Sequence, residues 1–191
     1  MITITIDGKI IQAENGANLL KVALQNGINI PNLCYHKYLS PTGACRLCLV
    51  KIEGMRGLVT ACTVKTTPDM QITAFDDELE KIRKTTLEML LANHNDDCIN
   101  CTSDGACELQ DLVFRYNIAK STRELTPTWD NLKNSGDISS QILDYDATKC
   151  IQCERCVKAC SEIQGKGVLS MAQRGINAHV VAGQKHWRNS E

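Results

Sequence analysis

Bulky residues are scarce in this chain of 191 residues, which has 2 Phe, 2 Trp and 4 Tyr. That scarcity argues against one large hydrophobic core and favours small domains nucleated by something other than aromatic packing. No stretch approaches the ~20 consecutive apolar residues needed to span a bilayer, so direct membrane insertion is not expected. The first thirty residues lack the charged start and continuous apolar run of a secretory signal. Charge of one sign is also missing: the net charge is -1 and no block of five like charges occurs. Neither a nucleic-acid footprint nor an acidic tail is therefore implied. These absences predict a cytoplasmic protein, in a compartment whose reducing poise disfavours disulfides. Cysteine is abundant instead. Eleven cysteines in such a setting read as metal ligands rather than as a cross-linked framework, and their odd number agrees.

The N-terminal third has mixed α and β patterning. Residues 2–6, Ile-Thr-Ile-Thr-Ile, alternate strictly, Asp7-Gly8 supplies a tight turn, and Lys9 to Ala13 reads as the returning strand. Asn18 is placed to cap a helix carrying Leu19, Leu20, Ala23 and Leu24, with Gly27 as its stop. A hairpin followed by a packed helix is the start of a β-grasp fold. Leu47 to Ile52 and Leu58 to Val64 offer two more strands, the second containing Cys62, and Pro68 to Thr73 closes the region. From Asp76 onward Leu79, Ile82, Thr86, Met89 and Leu90 recur at helical spacing, with Asp76, Asp77 and Glu78 at the end where a helix dipole favours negative charge. A further helix is predicted from Cys107 through Leu109, Leu112, Val113 and Tyr116. Residues 121–137 read as a surface linker.

The cysteines fall into three groups without overlap. They are Cys34-x10-Cys45-x2-Cys48-x13-Cys62, then His94-x3-Cys98-x2-Cys101-x5-Cys107, then Cys150-x2-Cys153-x2-Cys156-x3-Cys160. Short x2 spacings let several sulfurs converge on one inorganic core, and a distant cysteine closes the cage. In the first group Gly43 and Ala44 leave the loop unobstructed, so backbone N–H groups can point at cluster sulfurs. Two close cysteines with one ligand on either side match a 2Fe-2S cluster on a β-grasp scaffold, although the x10 gap exceeds the x4 of plant-type ferredoxins. A four-cysteine zinc site is the alternative, but zinc knuckles usually carry two short pairs rather than one. By ligand count alone, the one histidine and three cysteines of the middle group suit zinc as well as iron.

The middle group, Cys98-Ile-Asn-Cys101-Thr-Ser-Asp-Gly-Ala-Cys107-Glu-Leu-Gln-Asp111 preceded by His94, resembles the 4Fe-4S motif in the large iron-sulfur subunit of respiratory NADH dehydrogenase. The same motif occurs in iron-only hydrogenases and NAD-linked formate dehydrogenases. Thr-Gly-Ala-Cys45-Arg46-Leu-Cys48 resembles the 2Fe-2S motif of these proteins, in the same order. The third group, from Lys149 to Cys160, resembles the first half of their two-cluster ferredoxin insert. There the first three cysteines serve one 4Fe-4S cluster and the fourth reaches across to another. In that pattern a second cysteine run follows shortly after Trp187, so ligation by Cys150, Cys153, Cys156 and Cys160 is incomplete within these residues.

The resemblance implies an α+β chain in three parts. Residues 1–78 would be a 2Fe-2S ferredoxin-like β-grasp domain holding one 2Fe-2S cluster on Cys34, Cys45, Cys48 and Cys62. Residues 79–140 would be a small helical domain plus linker, holding one 4Fe-4S cluster on His94, Cys98, Cys101 and Cys107. Residues 141–191 would begin a bacterial-type 4Fe-4S ferredoxin-like domain, with further cluster occupancy resting on a C-terminal completion. No nucleophile–base pair or phosphate loop is apparent, so substrate chemistry belongs on a partner. The implied role is an electron-transfer subunit of a cytoplasmic NAD(P)-linked oxidoreductase complex of hydrogenase, formate dehydrogenase or electron-bifurcating transhydrogenase type. It would relay single electrons between a flavin- and NAD(P)-binding iron-sulfur subunit and a second redox subunit. A peripheral-arm subunit of an NADH-quinone oxidoreductase is the nearby alternative, and a zinc-stabilised interaction module or a thiol redox sensor are the rivals of other classes. His36 is read as a surface-loop residue, His179 and His186 as surface or packing residues, and Gly165-x-Gly167 as a turn. Arg46, Arg155 and Lys158 flank ligand cysteines, where raising a reduction potential and simply being solvated are equally open roles.

Overall fold

The computed structural model describes residues 1–95, 97–118 and 145–183. The predicted linker at 121–137, His186 and Trp187 lie outside the described residues. The chain forms two compact units, Met1–Leu87 and Glu88–Glu191.

In the first unit, β1 (Ile2–Ile6) pairs antiparallel with β2 (Lys9–Ala13), setting Ile2 opposite Ala13 and Ile6 opposite Lys9. The connection has φ of 48° at Asp7 and 79° at Gly8. Positive φ at both central residues matches the twist of a two-residue hairpin turn, which is why Asp-Gly serves there. The Asp7 carboxylate also accepts the Ala74 amide at 2.8 Å, tying the turn to a distant segment. Strict alternation sends Ile4 and Ile6 inward to complete burial while Thr3 stays outside.

Helix α1 (Leu19–Gln25) starts at Asn18, whose side chain accepts the Lys21 amide at 3.0 Å. It buries Leu19, Leu20, Val22 and Ala23. The helix ends at Asn26, and Gly27 follows with φ 76°. Three short strands complete a mixed sheet: β3 (Leu49–Ile52), β4 (Val59–Thr60) and β5 (Gln71–Thr73), in the order β2-β1-β5-β3-β4. β1 and β5 run parallel at the centre and the other pairs are antiparallel. With α1 packed on one face, this is the β-grasp arrangement that the hairpin-then-helix order predicts. The shared core contains Ile4, Ile6, Leu19, Leu20, Val50 and Ile72 together with two of the cysteines, Cys48 and Cys62. Each large aliphatic side chain so buried contributes ~1.5–3 kcal/mol.

Two strand expectations need correction. The strand expected from Leu47 begins at Leu49, and the one expected from Leu58 to Val64 is limited to Val59–Thr60, so Cys62 lies in a turn and not in a strand. The reason is local: Thr63 donates to the Thr60 carbonyl through both its amide, at 2.9 Å, and its hydroxyl, at 3.0 Å. That turn ends the ladder and aims Cys62 inward.

Helix α2 (Asp77–Ala92) is preceded by Asp76, whose carboxylate accepts the Leu79 amide at 2.8 Å. Its buried face also differs from the expected one. Leu79, Arg83 and Leu87 are buried, whereas Met89 is 52% exposed. In the second unit, α3 (Glu108–Arg115) begins at Cys107. A 3-10 turn (Ala147–Lys149), the short α4 (Arg155–Lys158) and a π-helical turn (Ala159–Ile163) carry the last cysteines. An antiparallel hairpin of β6 (Leu169–Ala172) and β7 (His179–Ala182) follows. Among the described residues no helix is long and apolar enough to cross a membrane.

Candidate metal centres

All four cysteines of the first group are buried, Cys34 and Cys45 to 5% exposure, Cys48 to 1% and Cys62 to zero. Two come from the tight Cys45–Cys48 loop, which turns on φ of 68° at Gly43 and 55° at Arg46. A side chain at Gly43 would meet the Thr60 hydroxyl and the Thr63 methyl, each at 3.3 Å, so the loop passes close to the turn that carries Cys62. Ala61 donates its amide to the Cys48 carbonyl at 2.8 Å, and the Asn18 side-chain amide donates to the Cys62 carbonyl. Helix cap, strand end and ligand loops are therefore one hydrogen-bonded assembly.

The thiols interact as a chain, Cys45 to Cys34 to Cys62 to Cys48. Cys34 contacts Cys45, Cys48 contacts Cys62, and Cys34 also contacts Cys62. The thiols of Cys45 and Cys62 donate to Cys34, which lowers its pKa far below the ordinary thiol range. Cys48 is lowered chiefly by Cys62. Conversely Cys62 is pushed up by donating to Cys34 and Cys48, and Cys45 by donating to Cys34, burial adding to both. Backbone amides reinforce the lowered sulfurs: that of Cys45 reaches Cys34, and that of Cys62 reaches Cys48. Leu47 and Leu33 also direct amides at the Cys45 sulfur, Leu33 at 3.4 Å. Burial disfavours a thiolate, while amide donors favour it, so a pocket of this kind needs a cation among its sulfurs to hold several thiolates at once.

The second group sits on turns at the two ends of its helices. His94 follows α2 with its amide bonded to the Leu91 carbonyl at 3.1 Å. Turns close from Cys101 onto the Cys98 carbonyl at 3.0 Å and from Asp104 onto the Cys101 carbonyl at 3.1 Å. Gln110 braces this loop, accepting the Gly105 amide at 3.2 Å and donating to Asp104 at 2.9 Å. Cys98, Cys101 and Cys107 are half-buried. Desolvation, then the nearby Asp104, raises the Cys98 thiol pKa.

In the third group Asp146 caps the 3-10 turn before Cys150, accepting from Thr148 at 2.8 Å. Gln152 and Glu154 on either side of Cys153 take positive φ, 56° and 61°. Cys150 accepts the Gln152 amide at 3.4 Å. Cys156 opens to solvent on one side, but the chain packed on the other, followed by neighbouring Cys153 and Cys150, raises its pKa. Cys160 lies one turn further, and its carbonyl receives the amides of Lys166 at 3.0 Å and Gly167 at 3.4 Å, so the Gly165-x-Gly167 segment is a turn as expected.

Several bonds lace the second group to the third. Asn95 donates its amide to the Thr148 carbonyl at 2.9 Å, and Lys149 donates its ammonium to the carbonyls of Asn95 at 3.1 Å and Asp97 at 2.8 Å. Arg155, between Cys153 and Cys156, pairs with Glu108, the residue after Cys107. Lys158 pairs with Glu162 at 3.2 Å. Arg155 and Lys158 are thus engaged in ion pairs. His36 is exposed, and the ring of His179 bonds locally to the Asn177 carbonyl at 2.9 Å.

None of the eleven cysteines forms a disulfide. Among the described residues no three His, Cys, Asp or Glu donors are gathered closely enough to hold a single metal ion. One residue beside the first group is not singled out by sequence patterns: Arg83, wholly buried on α2 and bonded to the ligand loop. Its sequence signal is faint: a charged residue four positions after Leu79 and four before Leu87, on the face that those two leucines define.

Comparison with known proteins divides the chain as its cysteines do. Residues 1–76 match the family of 2Fe-2S iron-sulfur cluster binding domains. Residues 83–122 match the iron-sulfur binding region of NADH-ubiquinone oxidoreductase-G, and 140–191 the ferredoxin-like domain of NADH-quinone oxidoreductase subunit 3. The chain is 39% identical to a G-type NADH-quinone oxidoreductase subunit of Rhizobium meliloti, over 94% of its own length and 21% of the relative's. It is 37% identical to the NADP-reducing hydrogenase subunit HndD of Solidesulfovibrio fructosivorans, over 94% of this chain and 31% of the other. The chain therefore spans between a fifth and a third of these relatives. A chain in the crystal structure of an NAD+-reducing [NiFe]-hydrogenase in its H2-reduced state superposes with a TM-score of 0.89 at 31% identity, covering 99% of this chain and 79% of that one. The protein belongs to the family of iron-sulfur subunits shared by NADH-quinone oxidoreductases and NAD(P)-linked hydrogenases.

Proposed function

We propose that the chain is the electron-relay segment of an NAD(P)-linked oxidoreductase complex. In this reading Cys34, Cys45, Cys48 and Cys62 hold a 2Fe-2S cluster, and His94, Cys98, Cys101 and Cys107 hold a 4Fe-4S cluster. Cys150, Cys153 and Cys156 offer three thiolates to a further 4Fe-4S site, with Cys160 directed to its neighbour. A flavin-bearing partner that exchanges hydride with a nicotinamide delivers single electrons, and a second redox subunit takes them onward in the cytoplasm. The observation that carries the reading is the run of four buried thiols, Cys45 to Cys34 to Cys62 to Cys48, with amides aimed at their sulfurs and, among the described residues, no three donors gathered on one point. Two thiolates per iron is what a two-iron core requires, whereas one zinc ion would draw all four to a single point.

The residues present fit such groups. When bound, iron-sulfur clusters accept and release single electrons. What the chain contributes is orientation and charge. The Cys45–Cys48 loop presents the sulfurs, the amides of Leu33, Leu47 and Cys62 offset their negative charge, and the core around Ile4, Leu20 and Val50 excludes water. In the second site, a neutral imidazole at His94 in place of a thiolate makes the ligand set less negative and raises its potential.

Anaerobically purified full-length chain, assayed for iron, acid-labile sulfide, absorption and EPR, tests the proposal. Expected is a coloured protein with iron close to the sum of one 2Fe-2S and one 4Fe-4S cluster, and a rhombic one-electron signal on reduction. A colourless protein retaining zinc, or a metal-free one forming disulfides, would overturn it. His94→Cys should keep the cluster and lower its midpoint potential. An unaltered spectrum and potential in His94→Ala would remove His94 from the ligand set.

A further inference from the structure

Arg83 is fully buried on α2, yet among the described residues its guanidinium has a single ion-pair partner, Glu80, a carboxylate 39% exposed at the edge. Its remaining donors go to main-chain carbonyls. Nε bonds Leu47 at 3.1 Å, and Nη2 bonds Leu49 and Ala74, each at 2.7 Å. The Phe75 ring lies 5.0 Å away, covering the cation. A buried charge is costly, and an apolar residue on this face would avoid the cost, so the arrangement asks what the charge does there.

The Leu47 carbonyl belongs to the last of the three peptides that join Cys45 to Cys48, the two closely spaced ligands of the first group. On the other side of that same planar unit is the main-chain N–H of Cys48, itself one of the proposed ligand residues. One residue earlier, the Leu47 amide reaches the Cys45 sulfur. A cation held on the carbonyl side polarises the peptide and strengthens its N–H as a donor, because hydrogen bonds in series reinforce one another in a low-dielectric interior. Arg is suited to this by its fork, which can grip several carbonyls at fixed angles; Lys is a point charge on a flexible stem.

We infer that Arg83 is a positioning residue for the first centre: it fixes the Cys45–Cys48 ligand loop and, through the Leu47–Cys48 peptide, raises that centre's reduction potential. This rests on the 2Fe-2S reading of Cys34, Cys45, Cys48 and Cys62. One added electron makes the ligand set more negative, so a nearby buried cation favours the reduced state.

The test uses the full-length chain and EPR-monitored redox titration of the 2Fe-2S signal, alongside iron and sulfide content and thermal midpoint. Arg83→Gln should shift the ratio of reduced to oxidised centre about tenfold toward oxidised at fixed solution potential, a change of ~59 mV for a one-electron couple. Arg83→Lys, which keeps the charge but loses the fork, should fall between Arg83→Gln and the parent. If Arg83→Gln loads its cluster and titrates with the parent's midpoint, merely melting earlier, Arg83 is only a structural pin and the inference is overturned. Should Arg83→Gln fail to load, Glu80→Gln decides. Removing the one carboxylate that offsets Arg83 should move the midpoint in the positive direction, by less than the Arg83 effect since Glu80 is partly exposed. No shift, or a negative one, overturns the inference. A parent chain lacking the 2Fe-2S signal would instead overturn the site reading itself, so the two failures are distinct.

Discussion

Asn18 holds two roles in one side chain, and they can be separated. Its oxygen caps α1 by accepting the Lys21 amide, while its amide nitrogen donates to the carbonyl of Cys62, the last cysteine of the first group. Asn18→Ala removes both. Loss of an N-cap costs about 1 kcal/mol, and loss of a net hydrogen bond about 1 kcal/mol more. For a unit the size of Met1–Leu87, each kcal/mol lowers the melting midpoint by ~4–8 °C. Asn18→Ala should therefore melt ~8–16 °C below the parent by these same scalings. Asn18→Asp keeps an equally good cap but turns the donor into a second acceptor facing the Cys62 carbonyl. It should lose only the tie, ~4–8 °C. The assay is loss of visible cluster absorption on heating the full-length chain at one scan rate, because cluster loss is irreversible and the midpoint then depends on rate. Asn18→Asp melting with the parent, or Asn18→Ala within ~2 °C of it, would refute the two-role account against the expected scale.

Three further outcomes follow from local geometry. Gly43→Ala should cost ~1–2 kcal/mol for its left-handed φ, plus displacement of Thr60 and Thr63. Gly27→Ala, at a similar φ with open space around it, should pay only the backbone cost, and equal thermal losses would refute the contact at Gly43. Lys51 bonds both Asp76, at 2.7 Å, and Glu78, at 2.6 Å. Lys51, then the Leu79 amide, lowers the Asp76 pKa below its ordinary 3.8, so its stabilisation is complete above that pH and is lost as pH falls through the lower folded value. Asp76→Asn should accordingly flatten the acid arm of the pH–melting curve relative to the parent, a difference that cancels the acid loss of cluster common to both. Lys149→Met should release its two carbonyls and speed loss of the 4Fe-4S absorption under air about severalfold, consistent with ~1 kcal/mol. An unchanged half-life would show that the lacing is incidental.

Much of the fold was legible because local signals agreed with it. Period-two alternation at 2–6, the Asp-Gly turn and the Asn18 cap each demand what the chain does. Cysteine spacing marked the loops because two residues between thiols is a backbone constraint, visible without tertiary context. The misses share another cause. Arg83 is buried by carbonyls at Leu47, Leu49 and Ala74, up to 36 positions away, which no window along the chain can reveal. Met89 has apolar chemistry and helical spacing, yet faces outward because the face is set by Leu79, Arg83 and Leu87. The strand expected through Cys62 was cut short by two threonine hydroxyls closing a turn that hydropathy does not register.

The lacing between Asn95, Asp97 and Lys149 bears on how such a chain can be divided and recombined. Engineers who transplant redox modules must cut where few bonds are severed. The loops of the first cysteine group draw their bonds from α1, β3 and α2 inside Met1–Leu87, so that segment carries its own scaffolding. The next two groups do not. A cut placed between residues 118 and 145 would leave Lys149 and Arg155 on one fragment and their partners on the other. His94 and Cys150 thus belong to a single cassette, to be moved together or left in place.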